Sequence, residues 1–71
     1  MKINDLPKDV SLGGVHFRTP EGVEGYWYSQ WSYPPPGVSG VFYKKHPSDT
    51  QLYTIQVDDL KEALDWEVVD G

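Results

Sequence analysis

The sequence predicts a mainly β domain: five short strands in one strongly bent sheet, with one short helix before the last strand. Three observations lead there. Turn signals recur at Gly13-Gly14, Pro20–Gly25, Pro34–Gly40 and His46–Thr50, a spacing of about ten residues that suits a small all-β fold. The runs between them are rich in aromatic and β-branched residues, which fit a pleated, half-buried surface. One late segment, 58–65 (DDLKEALD), abandons the two-residue period for a helical stripe of Leu60, Ala63 and Leu64.

Each element follows from its residues. The predicted strands are 14–18 (GVHFR), 25–31 (GYWYSQW), 40–45 (GVFYKK), 51–57 (QLYTIQV) and 66–69 (WEVV). Alternation turns Val15 and Phe17 to the core and His16 and Arg18 away from it. In the fourth strand Tyr53, Ile55 and Val57 form the core face. The second strand has no single apolar face. Strict alternation groups Tyr26, Tyr28 and Gln30 against Trp27, Ser29 and Trp31, so one face is expected in the core and the other, with the 31–36 loop, exposed. Asp58 or Asp59 can cap the helix by accepting a free backbone N–H, and Asp59-x-x-Glu62 has capping-box spacing. A two-turn helix does not persist alone, so it must dock on the sheet.

The order β-β-β-β-helix-β in one small domain is most similar to an SH3-like barrel. The adjacent tryptophans and Pro-Asn-Tyr signature of proline-binding SH3 domains are absent, and Trp27, Trp31 and Trp66 do not have the WW-domain spacing. The barrel is an expectation about topology and names no family.

With 71 residues the chain is expected to form a single domain over 1–71, with residues 1–10 as a loosely ordered N-terminal arm. A chain this short buries only roughly 60–65% of the surface its unfolded form exposes. Without cysteine it has neither a disulfide nor a thiolate metal site. Its ten aromatic residues then matter as buried mass, since each covers about 150–250 Å². The N-terminus has no apolar run of signal-peptide length, and no stretch suits a membrane span, so a cytoplasmic protein with no membrane partner is expected.

The net charge of −5 is confined to one end. Residues 1–56 carry five cations and five carboxylates, whereas 57–71 carry Lys61 against six carboxylates. That field repels phosphate backbones and favours basic partners, so direct nucleic-acid binding is not expected.

Nothing in the sequence points to catalysis. None of its serines sits in a nucleophile elbow, and His16 and His46 are its only imidazoles. Asp58 and Glu62 stand four apart, but compensation of the helix dipole accounts for them better than a cation does. No cofactor or metal is expected. Lys44, Lys45 and His46 form a small basic spot at the end of the third predicted strand, which suggests the defence of a sheet edge against aggregation, the alternative being one local contact to an acidic group.

The best candidate site is aromatic. Tyr26, Trp27, Tyr28, Trp31 and Tyr33 fall within eight residues, next to the stiff Pro34-Pro35-Pro36 run. Tyrosine and tryptophan supply large amphipathic contact area at low entropic cost. The expected partner-binding residues are Trp27, Tyr28, Trp31, Tyr33 and Pro35, with Asp58, Asp59 and Glu62 steering a basic partner. The function expected is that of a small non-enzymatic protein-interaction module, adaptor or inhibitor. The competing expectations are a barrel that stacks sugars or bases on the same aromatics, and a structural homo-oligomer subunit.

Overall fold

A computed structural model of the chain describes residues 1–33 and 37–69. It is mainly β. A 3₁₀ turn, Ile3–Asp5, precedes β1 (His16–Arg18), β2 (Glu24–Tyr33), β3 (Val38–Lys44), β4 (Tyr53–Val57), α1 (Leu60–Leu64) and β5 (Glu67–Val68). The strands form one antiparallel sheet in the order β4-β3-β2-β1-β5. Five strands and a helix before the last are as the sequence predicts. The sheet stays open, with β4 and β5 at its margins, so the expected closure into a barrel is not seen among the described residues.

The core lies on one face. Phe17, Trp27, Val41, Tyr43 and Val57 project from the strands and meet Ile3, Ala63 and Trp66. Phe17 is its centre, fully buried, with Trp66 stacked on it at 5.0 Å and Trp27 and Tyr43 edge-on at 6.1 and 5.7 Å. Offset-stacked and edge-to-face rings of this kind add about 0.5–1.5 kcal/mol per pair beyond their burial. Tyr43 extends across Gly25, where any side chain would collide with its ring.

The hairpins follow from their turn chemistry. Between β1 and β2, the buried Thr19 accepts the Val23 N–H on its hydroxyl at 3.1 Å, and its own N–H donates to the Val23 carbonyl at 2.8 Å. Gly22 takes φ +92° there, a conformation that needs glycine. Between β3 and β4, His46 Nδ1 bonds the Ser48 hydroxyl at 2.7 Å, and the His46 carbonyl accepts the Asp49 N–H at 3.0 Å.

Two expectations are corrected. The N-terminal arm is not loose over its first half. Ile3 is buried at 2% exposure and donates its N–H to the Trp66 carbonyl at 3.0 Å, while the Met1 carbonyl accepts the Val68 N–H at 2.7 Å. Ile3 is an apolar residue that a core this small can use, and β5 needs a partner on its far side. Second, Lys44 and Lys45 do not guard an edge. Lys44 ends β3, a central strand, and Lys45 follows it; their amines lie over the rings of Tyr28 and Tyr53 at 5.4 and 4.4 Å.

In α1 the cap is Asp59, whose carboxylate accepts the Lys61 N–H at 3.0 Å. Glu62 reaches back one residue further than a standard capping box, to the Asp58 N–H at 3.1 Å. Ala63 is fully buried, and Leu60 and Leu64 pack beside it.

Removing the Ile3 side chain (Ile3→Ala) should lower unfolding stability in urea by about 2–3 kcal/mol, the scale for an emptied aliphatic site. A loss below about 0.5 kcal/mol, the level of an ordinary surface substitution, would return the N-terminus to a loose arm.

Candidate functional site

β2 does not alternate throughout. Trp27 pairs with Tyr43, but Ser29 pairs with Phe42, so Tyr28 is an extra residue in the ladder. Such a bulge turns every later side chain to the opposite face. Trp27, ahead of it, faces the core with Tyr43, while Ser29, Trp31 and Tyr33, beyond it, share the outer face with Phe42, Gly40 and Val38. A hydrogen bond reports the same shift: Trp27 Nε1 donates to Gln30 Oε1 at 2.9 Å, across three residues instead of two or four.

The outer face carries an aromatic strip. Trp31 lies over Gly40, where a side chain would strike the indole and stand 2.6 Å from the Ile55 carbonyl oxygen. Its ring centre is 4.8 Å from that of Phe42. Both rings are half-buried, and Gly40 is covered although it faces away from the core. Tyr33 and Tyr28 are open, at 65% and 54% exposure, with Val38 at 41% beside Tyr33. Further along, His16 stacks on Tyr26 at 4.4 Å, and Arg18 Nε donates to Glu24 Oε1 at 2.7 Å. A shallow depression of about 380 Å³ lies at that end, lined by Gly13, Gly14, Tyr26, Trp27, Tyr28, Lys44 and Pro47. Among the described residues, the helix and the N-terminal turn pack on the core face, and no element covers the outer one.

The expected site residues therefore separate. Trp31 and Tyr33 stay together on the outer face, whereas the groove of about 250 Å³ that Asp58, Asp59 and Leu60 line with Gly37 takes Ser32 and Ser39 from the opposite face and neither aromatic. Tyr28 is exposed but belongs to the other end of the strip, under the Lys44 amine. Trp27 is 4% exposed and belongs to the core, which it enters by ordinary alternation with Gly25 ahead of the bulge, while still lining the depression beside Tyr26 and Tyr28. Asp59 and Glu62 are exposed, but their carboxylates accept backbone N–H groups of α1 and its approach, which leaves Asp58 as the freer charge at the groove. Glu62 lines a different cleft, shared with Pro20, Glu21, Asp65, Trp66 and the β4 residues Ile55, Gln56 and Val57. Pro35 lies outside the described residues, as do Pro34 and Pro36.

Phe42 was not among the expected site residues. Its alternation in β3, opposite Val41 and Tyr43, was readable in GVFYKK and places it on the outer face. No three histidine or carboxylate side chains come together as a metal-binding group among the described residues. No helix among them is long and apolar enough to cross a membrane.

No protein-family model matches the chain, no curated protein matches its sequence, and no solved structure matches its fold.

The geometry separates structural from exposed aromatics. Trp31→Ala uncovers Gly40 and Phe42 and should cost about 1–2 kcal/mol of stability on area grounds. Tyr33→Ala, at an open position, should stay within about 0.5 kcal/mol of the parent. Equal losses in thermal or urea unfolding would contradict this assignment.

Proposed function

We propose that the chain is a small non-enzymatic interaction module that docks another protein on the outer face of its sheet. One observation carries this reading. An aromatic surface of Trp31, Phe42 and Tyr33 lies on the face the core does not use. Interface anchors are typically aromatic, and they act best where they are rigid before binding. Trp31 is held by Gly40 and Phe42, so little of its freedom remains to be lost. Tyr33 and Val38 offer open apolar area next to it. The carboxylate end of the molecule raises the approach rate of a basic partner and its sensitivity to salt.

A second reading draws on the depression at the other end of the strip. Tyr26, Tyr28 and the Lys44 amine there form a small stacking platform for a sugar or base ring. Base stacking on such surfaces is worth about 1–3 kcal/mol per base. The anionic end of the chain disfavours polynucleotides more than neutral sugars. Intrinsic fluorescence titrated with oligosaccharides and with short oligonucleotides separates these classes, and a flat response to both removes the reading.

The protein-docking reading is tested by affinity capture from a native lysate at low and high salt, followed by titration of the captured protein against variants. Tyr33→Ala should weaken that complex by about 2 kcal/mol with an unchanged melting temperature. Asp58→Lys should weaken it at low salt and flatten its salt dependence. A captured protein that binds both variants as tightly as the parent would overturn the assignment of this face.

A further inference from the structure

The two margins of the sheet are treated differently. Beyond β5, the N-terminal residues continue the ladder, with Lys2 bridging to Glu67. Beyond β4, no strand follows among the described residues. Natural edges are commonly blunted by lysine, proline or a bulge. From Thr50 to Val57 the sequence TQLYTIQV has no charge or proline, and the register from Tyr53 to Val57 is unbroken. A cleft of about 350 Å³ adjoins this margin. Ile55 and Val57 line it from β4, Trp66 from just beyond α1, and Pro20 and Glu21 from the β1–β2 turn. It is the gap that the open sheet leaves between β4 and that turn. Its charged groups are Glu21, Glu62 and Asp65, all exposed. None of the three forms an ion pair among the described residues. The two pairs present join Met1 to Glu67 and Arg18 to Glu24. Lys61, the cation of α1, does not line the cleft.

We propose that this margin docks an extended segment of a basic protein, which adds to β4 as a further strand and sets an arginine in the cleft. Sheet-edge addition takes its affinity from main-chain hydrogen bonds and its selectivity from alternate side chains. A residue laid opposite Ile55 shares its side of the sheet, so its side chain enters the cleft. Charge complementarity selects a cation there. The apolar floor of Ile55, Val57 and Trp66 suits an aliphatic stem, and the carboxylates of Glu21 and Asp65 suit its charged head. Arginine serves better than lysine, because its guanidinium is more weakly hydrated and carries five donors. A second copy of this chain does not meet the requirement through β4, since TQLYTIQV has no cation to offer. Acidic segments and phosphate backbones are repelled by the same carboxylates. The site is at the sheet margin and uses neither Trp31 nor Tyr33, so it stands apart from the outer-face reading.

The probe is the capped peptide acetyl-TVTRTVT-amide, whose valines and arginine share one side, compared with the same peptide carrying norleucine for arginine. Titrated into the isotope-labelled chain and followed by nuclear magnetic resonance, the arginine peptide should bind saturably. It should shift the amide signals of Glu21, Ile55, Val57 and Asp65, and move alternate β4 amide protons downfield as new hydrogen bonds form. Norleucine should weaken binding by about tenfold or more, the scale of one hydrogen bond to a charged group. Glu21→Gln/Asp65→Asn should weaken the arginine peptide by a similar factor and leave the norleucine peptide unchanged, which also reports that the variant is folded. Glu62 is kept, because it holds the Asp58 N–H at 3.1 Å. Asp9→Asn/Asp49→Asn removes the same charge away from the cleft and should alter neither affinity at physiological salt. An arginine peptide that does not bind would overturn the proposal. So would a norleucine peptide that binds equally, equal weakening by the two double variants, or β4 amide protons that do not move in the complex.

Discussion

The extra residue at Tyr28 is the constraint on which the rest of the structure depends. Half of the aromatic side chains of this chain fall between residues 26 and 33. A regular strand would put Trp27 and Trp31 on the same face. Two indoles added to Phe17, Tyr43 and Trp66 would overfill a core this small, and overpacking costs about 1–3 kcal/mol. The bulge divides them. Trp27 joins the Phe17 cluster, and Trp31 crosses to the outer face, where Gly40 and Phe42 receive it. One inserted residue thus converts a surplus of aromatic mass into a core and a surface.

Two glycines make that division feasible. Gly25 admits the Tyr43 ring on the core side, and Gly40 admits the Trp31 ring on the outer side. Glycine within a strand is ordinarily a weakness, since it offers nothing to pack. Here a neighbouring ring covers each one, which restores the lost contact and fixes the ring in place. The outer-face tryptophan is consequently both a structural element and the rigid part of a binding surface, whereas Tyr33 is open. The same economy extends to the termini. With no cysteine to staple the fold, Ile3 and the Met1 carbonyl are drawn in to complete the core and the β5 margin.

Much of this was legible in the sequence. The turn spacing marked five strands, and the Leu60, Ala63, Leu64 stripe marked the helix. Alternation placed Phe17 and Tyr53, Ile55 and Val57 correctly, because β1 and β4 pair without interruption. The separation of Trp31 from Trp27 was not legible. A bulge of this kind needs no glycine at positive φ, and YWYSQW contains no residue that signals one. It becomes visible only when β3 supplies the ladder against which residues are counted. The docking of the N-terminus was hidden for a related reason: MKINDL carries a single isoleucine whose burial depends on Trp66, sixty-three positions away. Lysines 44 and 45 misled because strand order, which decides what is an edge, is a property of the assembled sheet.

The measurement that tests the division of the aromatics most directly is the set of nuclear Overhauser contacts of the two indoles in solution. Contacts from Trp27 to Phe17 and Trp66, with Trp31 touching Gly40 and Phe42 and its ring shifting the Gly40 α protons upfield, are the expected result. Contacts from both indoles to Phe17 would place them on one face, remove the bulge, and contradict the account.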